Sequence, residues 1–173
     1  MASGRSIQLT RQIGIHLTIA KLGRLGYIVT PCLKNKSGHD LNIIDKMGNS
    51  KPAQVRVING GSWQFNISKF LDVVIIDDIQ YFNGERKLED PGLICIYVLL
   101  LKQEKNDFFV FSLRDLQVIC SQKTKVSRYR PKNPSSLHAA VRPSEIRQFK
   151  DNWVLIEKSL KSYSQSHMFF SSD

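Results

Sequence analysis

Three polar side chains lie at the start or inside of two short apolar segments, and their types suit metal binding and charge neutralisation. Asp40 directly precedes the apolar segment Leu41–Ile44, and Gln54 and Arg56 alternate with apolar residues in segment 53–57. Residues two apart in a strand project from one face, so Gln54 and Arg56 should point together. The intervening residues 45–50 carry the Gly, Asn and Ser of a hairpin connection. We therefore expect Asp40 to lie beside that pair.

This group of residues predicts a site for a hard divalent cation. Mg²⁺ prefers oxygen ligands, which the Asp40 carboxylate, the Gln54 side-chain carbonyl and the Val55 backbone carbonyl could supply. A cation held there polarises a phosphate and lowers the pKa of a bound water, and Arg56 would meet the developing negative charge. Two simpler interpretations stay open: Asp40 as a turn cap, and Gln54 with Arg56 as the solvated face of an edge strand.

The distribution of charge predicts DNA or RNA as a partner. Lys and Arg number 25 against 15 Asp and Glu, and residues 1–39 and 116–144 contain no carboxylate. Basic residues with an interleaved aromatic, as in segment 123–132, suit phosphates and exposed bases. The alternatives are a solvated basic loop and, for Trp63, packing over the sheet. The candidate nucleic-acid-binding residues are Lys34, Lys36, Trp63, Lys123, Lys125, Arg128 and Arg130.

The elements that must position these residues can be read from periodicity and turn signals. Leu9, Ile13, Leu17 and Ala20 recur at helical spacing within residues 9–25, and Gly26 ends the pattern. Strands are predicted at 27–30, 41–44, 53–57 and 63–67, and the apolar run 93–101 predicts a strand buried on both faces that pairs with 107–112. Ser112 is the expected cap of a helix over 113–121, and short closing helices follow near 144–146 and 152–156.

This order predicts one α/β or α+β domain over residues 1–161, with a mixed central sheet flanked by helices. Residues 162–173 are expected to form a polar, disordered tail. The first helix and the basic segment after Ser121 are expected to flank one side of the sheet, so that their charges act together around Asp40.

The sequence resembles the PD-(D/E)xK, or restriction-endonuclease-like, nuclease superfamily, and in particular its small stand-alone prokaryotic members. The resemblance rests on GHDLNII at residues 38–44, QVRV at 54–57, the following Trp63, and a helix ended by Gly26. It implies a metal-dependent endodeoxyribonuclease in which Asp40 binds the metal, Gln54 is the second ligand and Arg56 takes the place of a lysine.

Three departures from the family pattern predict a degenerate, impaired catalytic site. Gln54 is neutral, so a bound metal would meet one formal negative charge instead of two. Arg56 is permanently charged and cannot accept a proton as lysine can. Where many relatives have a glutamate on the first helix, this helix offers only Gln12 and His16.

Three function classes remain open at this stage. They are an active magnesium-dependent endonuclease, a silent nuclease fold that binds DNA or RNA, and an interaction protein that binds an acidic partner. A twofold dimer would suit a duplex. Three scattered cysteines without metal-ligand spacing and the absence of a long apolar run predict a cytoplasmic protein with reduced thiols and no membrane segment.

Overall fold

The core of the molecule is a five-stranded mixed sheet. The computed structural model describes residues 4–32, 38–102, 105–124, 128–129 and 131–168. The strands of this central sheet are β1 (Ile28–Pro31), β2 (Leu41–Ile44), β3 (Ser50–Ile58), β7 (Ile94–Leu99) and β8 (Asp107–Ser112). Their order across the sheet is β1-β2-β3-β7-β8, and only the β3–β7 pair is parallel. The predicted mixed sheet is therefore confirmed.

One face of this sheet, here called the α1 face, is covered by α1 (Gly4–Arg24) and α3 (Val154–Met168). The α1 residues buried against it are Gly14, Thr18 and Leu22. Leu9 and Ile13 are instead 57% and 41% exposed. The predicted helix is confirmed, but its packed face is not the one marked by Leu9 and Ile13; it carries Gly14 and Thr18, whose small size allows a closer approach of the helix to the sheet.

The opposite face, here called the α2 face, carries α2 (Leu113–Lys123) and two small sheets. One small sheet pairs β4 (Trp63–Asn66) with β10 (His138–Val141); the other has the order β5-β6-β9, from β5 (Leu71–Ile76), β6 (Ile79–Glu85) and β9 (Arg128–Tyr129). The core of the α2 face is rich in aromatic side chains, among them Tyr97, Phe109 and Phe111. The described parts of the basic segment after Ser121, Lys123 at the end of α2 and β9, thus lie on this face, so the prediction that they share a side with α1 is wrong.

Two local predictions about the central strands are confirmed. All six residues of β7 are buried, as expected for an apolar strand covered on both faces, and β7 pairs with β8 as a hairpin. Ser112 caps α2: its hydroxyl accepts the Asp115 N–H at 3.1 Å, and the Ser112 N–H donates to the Asp115 carboxylate at 2.8 Å.

The chain closes with a 3₁₀ helix, Pro143–Phe149, and then α3, which extends to Met168 and so past residue 161, where the domain was expected to end. The last residues of the chain, 169–173, lie outside the described residues. None of the helices in the described part of the chain is long and apolar enough to span a membrane.

Candidate functional site

Asp40 is held at the entrance to β2 by contacts on both its backbone and its side chain. Its N–H donates to the Ala53 carbonyl at 2.9 Å, and its own carbonyl accepts the Cys32 N–H at 2.9 Å. The pairing of β2 with β3 ends at Leu41 and Ala53, so Val55 has no β2 partner on that side. Asp40 Oδ2 accepts the Val55 N–H at 2.8 Å instead. Strand N–H groups lie in the plane of the sheet, so the carboxylate sits at the edge of β3 rather than on either face.

The second oxygen of Asp40 is occupied by Arg11, a residue that the sequence analysis did not single out. Arg11 Nη2 donates to Asp40 Oδ1 in an ion pair that joins α1 to the sheet. The Asp40 side chain is 7% exposed and the Arg11 side chain 44%. A signal for this contact was present in the sequence: Arg11, Gly14 and Thr18 lie three and four residues apart, and so share the helix face that packs on the sheet.

The side chains of Gln54 and Arg56 project from β3 on the α2 face of the sheet. In the parallel register Gln54 is opposite Cys95 and Arg56 opposite Tyr97, residues that belong to the core of the α2 face. Neighbours in register share a face, so Gln54 and Arg56 point together as expected. Gln54 Nε2 donates to the Gly38 carbonyl at 3.1 Å, which fixes the loop that leads to Asp40. Gly38 has a φ of +69°, a conformation in which glycine is favoured.

The structure brings Asp40 against the backbone of Val55, while its side-chain partner is Arg11 instead of Gln54 or Arg56. Val55 is buried and uses its N–H for Asp40. N–H and C=O of one strand residue point the same way, so the Val55 carbonyl, one of the expected metal ligands, also faces this edge. Arg56 is exposed. Its guanidinium acts to lower the pKa of the Cys95 thiol, but burial dominates and raises that pKa to about 12.

The side chains of Asp40 and Gln54, as they are arranged in this structure, do not fit a magnesium ion. Both oxygens of Asp40 are engaged, one of them by a guanidinium that already neutralises its charge. The second expected ligand, Gln54, is neutral. Among the residues that the structure describes, no three His, Cys, Asp or Glu side chains are grouped so that they could hold a metal. The magnesium site proposed from Asp40, Gln54 and Val55 stays a prediction.

An open cavity of about 570 Å³ runs along α1, and Arg11 is one of the residues that line it. Its lining contains two arginines and two glutamines, and α1 contains no carboxylate at all. The lining residues are Arg5, Gln8, Leu9, Arg11, Gln12 and Ile15. A groove that presents cations and side-chain amide groups is a favourable environment for anionic ligands.

Trp63, expected as a base-stacking residue, is part of the core. It is 3% exposed, and its ring centroid lies 5.0 Å from that of Tyr97 and 5.8 Å from that of Phe109. Its indole N–H donates to the Arg56 carbonyl at 3.2 Å. A side chain so enclosed cannot stack on a base, so this nucleic-acid-binding prediction is wrong and the packing alternative is the correct one.

The basic segment 123–132 is partly neutralised by residues outside it. Lys123 Nζ donates to Glu145 Oε2 at 2.8 Å and to the Ala140 carbonyl. Burial acts to raise the pKa of Glu145, but hydrogen bonds from Lys123 and the Arg142 N–H outweigh it and hold that pKa below its usual value. Arg128 lies in β9, whose backbone pairs with β6. The remaining candidates, Lys34, Lys36, Lys125 and Arg130, lie outside the described residues.

Comparison with known proteins finds similarity to solved structures. No protein-family model and no curated protein matches the chain. The structure of a bacterial homing endonuclease, I-Ssp6803I, is similar over 96% of this chain and 99% of that chain, with 17% sequence identity and a TM-score of 0.48.

Proposed function

We propose that this protein binds nucleic acid at the α1 groove and the adjoining Asp40 edge of the sheet, on a nuclease-like fold whose phosphodiester-cleaving site is impaired. The finer proposal is the one that the sequence resemblance suggests, a degenerate member of the PD-(D/E)xK superfamily. The observation that carries the proposal is the Arg11–Asp40 ion pair beside a groove whose described lining contains two arginines and no carboxylate.

Nucleic-acid binding is supported by charge and by shape. A net charge of +10 attracts polyanions, and α1 concentrates part of it along one open groove. Phosphates that displace counterions from such a groove give affinity that does not depend on sequence. Lys21 and Arg24 continue the cationic character toward the end of α1.

Impaired cleavage is supported by the chemistry of the three site residues. Metal-assisted hydrolysis needs a cation to activate water and to stabilise the charge of the transition state. Asp40, the one carboxylate expected to hold that cation, is paired with Arg11. Arg56 can stabilise charge but cannot serve as a base. A bound phosphodiester would therefore be held by guanidinium groups, with little hydrolysis.

The binding proposal is tested by fluorescence anisotropy with labelled duplex DNA, single-stranded DNA and RNA over a range of salt concentrations. We expect log affinity to fall steeply with log salt, by roughly 0.9 for each duplex phosphate engaged. Arg5→Ala should flatten the slope by about one unit. Lys87→Ala removes the same charge from an exposed position after β6 and is the matched control.

The sequence-based alternative for the location of the interface is tested in the same assay. The combined change of Lys123, Lys125, Arg128 and Arg130 to alanine should flatten the slope by a few units if the α2 face carries the interface. Binding of none of the three nucleic acids at low salt would refute the proposal and favour an acidic protein partner.

Catalysis is tested with plasmid and single-stranded DNA in magnesium or manganese. We expect little or no cleavage by the wild type, and a gain from the double change Gln54→Glu with Arg56→Lys only when Arg11 is also replaced by glutamate. Robust wild-type cleavage that Asp40→Ala abolishes would instead establish an active metal-dependent endonuclease.

A further inference from the structure

We infer that Arg11, oriented by Asp40, is a phosphate-binding residue that supplies the positive charge at this site in place of a metal ion. The inference rests on the proposed function, and it names the group that contacts the nucleic-acid backbone. Its ligand is one phosphate of a phosphodiester chain. Asp40 is a positioning residue here, since it acts through Arg11.

The contacts of Asp40 leave it little freedom to do anything else. Its side chain is 7% exposed, one oxygen is bonded to the Val55 N–H at 2.8 Å, and the other is bonded to Arg11. A carboxylate fixed at one oxygen by a strand N–H presents its second oxygen in a defined direction. The guanidinium that pairs with that oxygen is therefore held at a defined place and angle relative to β3.

Arg11 retains donors for a ligand after this bond is made. A guanidinium carries five N–H donors in a planar fork, and the bond to Asp40 Oδ1 comes from Nη2. The side chain is 44% exposed and borders the groove that Arg5, Gln8 and Gln12 also line. The planar fork matches two oxygens of a phosphate, which a lysine ammonium cannot do. Buttressing by a buried carboxylate reduces the side-chain entropy that is lost on binding.

The direction in which one substitution changes DNA affinity separates this inference from a general attraction of DNA to a basic protein. Asp40→Asn removes a negative charge, so a general field predicts unchanged or tighter binding of DNA. The asparagine oxygen can still accept the Val55 N–H, but its NH₂ group would face the Arg11 guanidinium, donor against donor. Arg11 would then lose its fixed position. We expect affinity for duplex DNA to fall about three- to tenfold and the salt slope to flatten by about one unit.

Two further variants make the comparison specific. Asp72→Asn is the matched control, since Asp72 is half exposed on the α2 face and pairs with Arg86 at 3.7 Å; this change should leave affinity unchanged or slightly raised. Arg11→Lys keeps the charge and removes the planar fork, and we expect it to weaken binding more than Arg5→Lys does. Circular dichroism and thermal unfolding report whether each variant is folded.

Manganese binding gives a readout that does not depend on cleavage or on DNA. Mn²⁺ has a strong electron paramagnetic resonance signal when free, and we expect the wild type to leave that signal undiminished. Asp40-dependent binding of Mn²⁺ by the wild type would mean that a metal displaces Arg11, and would overturn the inference.

The outcomes distinguish this inference from the proposed function on which it rests. If the wild type binds no nucleic acid at low salt, both fail. If the wild type binds, but Asp40→Asn and Arg11→Lys behave as Asp72→Asn and Arg5→Lys do, only the role of the Arg11–Asp40 pair is refuted. If Asp40→Asn proves unfolded, Arg11→Lys decides the question, because it keeps the ion pair with Asp40.

Discussion

The two carboxylate-free stretches of the chain look alike in sequence, but α1 from the first lies on one face of the sheet, and Lys123 and β9 from the second lie on the other. Their cations also differ in how they are paired. On the α1 face, Arg11 is paired with a buried carboxylate and still borders an open groove. On the α2 face, Lys123 is bonded to Glu145 and to a backbone carbonyl, and β9 is paired into a small sheet. A run of positive charge thus does not by itself identify a binding surface, because distant residues decide how much of the charge is available.

The cores under the two faces differ as well. The buried side chains of the α1 face are mainly aliphatic, with Phe108 the exception, and Gly14 of α1 approaches them closely. The α2 face is instead built around Trp63, Tyr97, Phe109 and Phe111. The aromatic residues therefore contribute to stability on the face where the sequence suggested ligand stacking. Three changes test this comparison of the two faces.

The largest effect is expected from Trp63→Ala on the α2 face. Loss of a large aromatic side chain from the core should lower the free energy of unfolding by about 3–5 kcal/mol, measured by denaturant titration. Trp63→Phe should recover much of that loss and bind nucleic acid as the wild type does. A Trp63→Phe protein of normal stability but greatly reduced affinity would contradict the assignment of Trp63 to the core.

A smaller loss is expected from Gly14→Ala on the α1 face. The new Cβ would lie 2.3 Å from Val57 Cγ2 and 2.6 Å from Val57 Cγ1, far inside contact distance. We expect overpacking to lower the free energy of unfolding by about 1–3 kcal/mol, less the gain of up to about 1 kcal/mol in helix propensity.

Gly23→Ala is the control for Gly14→Ala, since its Cβ would meet nothing within 4 Å on the same helix. It should be neutral or stabilising. The second change Val57→Ala should partly rescue Gly14→Ala. Equal effects of the two glycine substitutions would show that α1 does not approach the sheet at Gly14.

The smallest effect is expected from Glu145→Gln on the α2 face. Because the folded-state pKa of Glu145 is lowered, the carboxylate contributes stability that is fully present above its unfolded pKa and is lost as pH falls through the folded value. Both partners are about one-third exposed, so we expect at most about 1 kcal/mol at neutral pH and none in strong acid.

The same Glu145→Gln protein also tests which face binds. The change releases Lys123 from its carboxylate partner, so it should strengthen DNA binding appreciably only if the α2 face carries the interface. We expect the DNA affinity to change only by the small effect of one added net charge. The difference in stability between the wild type and Glu145→Gln should be measured across pH in parallel.

Sequence reasoning succeeded where neighbouring residues or a local pattern decide the structure. The cap at Ser112 needs only Asp115 three residues later, and an uninterrupted apolar segment is enough to predict that β7 is buried on both sides. The position of Asp40 beside β3 follows from a hairpin of short reach. Each of these outcomes depends on residues that are close in the chain or on one strand.

The sequence by itself determined the mixed sheet, the cationic composition and the two strands that begin after Asp40 and contain Gln54. Tertiary structure alone decided two charge pairings: Arg11 with Asp40, 29 residues apart, and Lys123 with Glu145, 22 residues apart. It also decided that Trp63 is enclosed by the core. The physical reason is that composition and periodicity fix local conformation, while the pairing of a charge depends on which helix face meets the sheet. In α1 that face carries the small residues Gly14 and Thr18, which allow a close approach to the sheet, and Arg11, which meets Asp40 there.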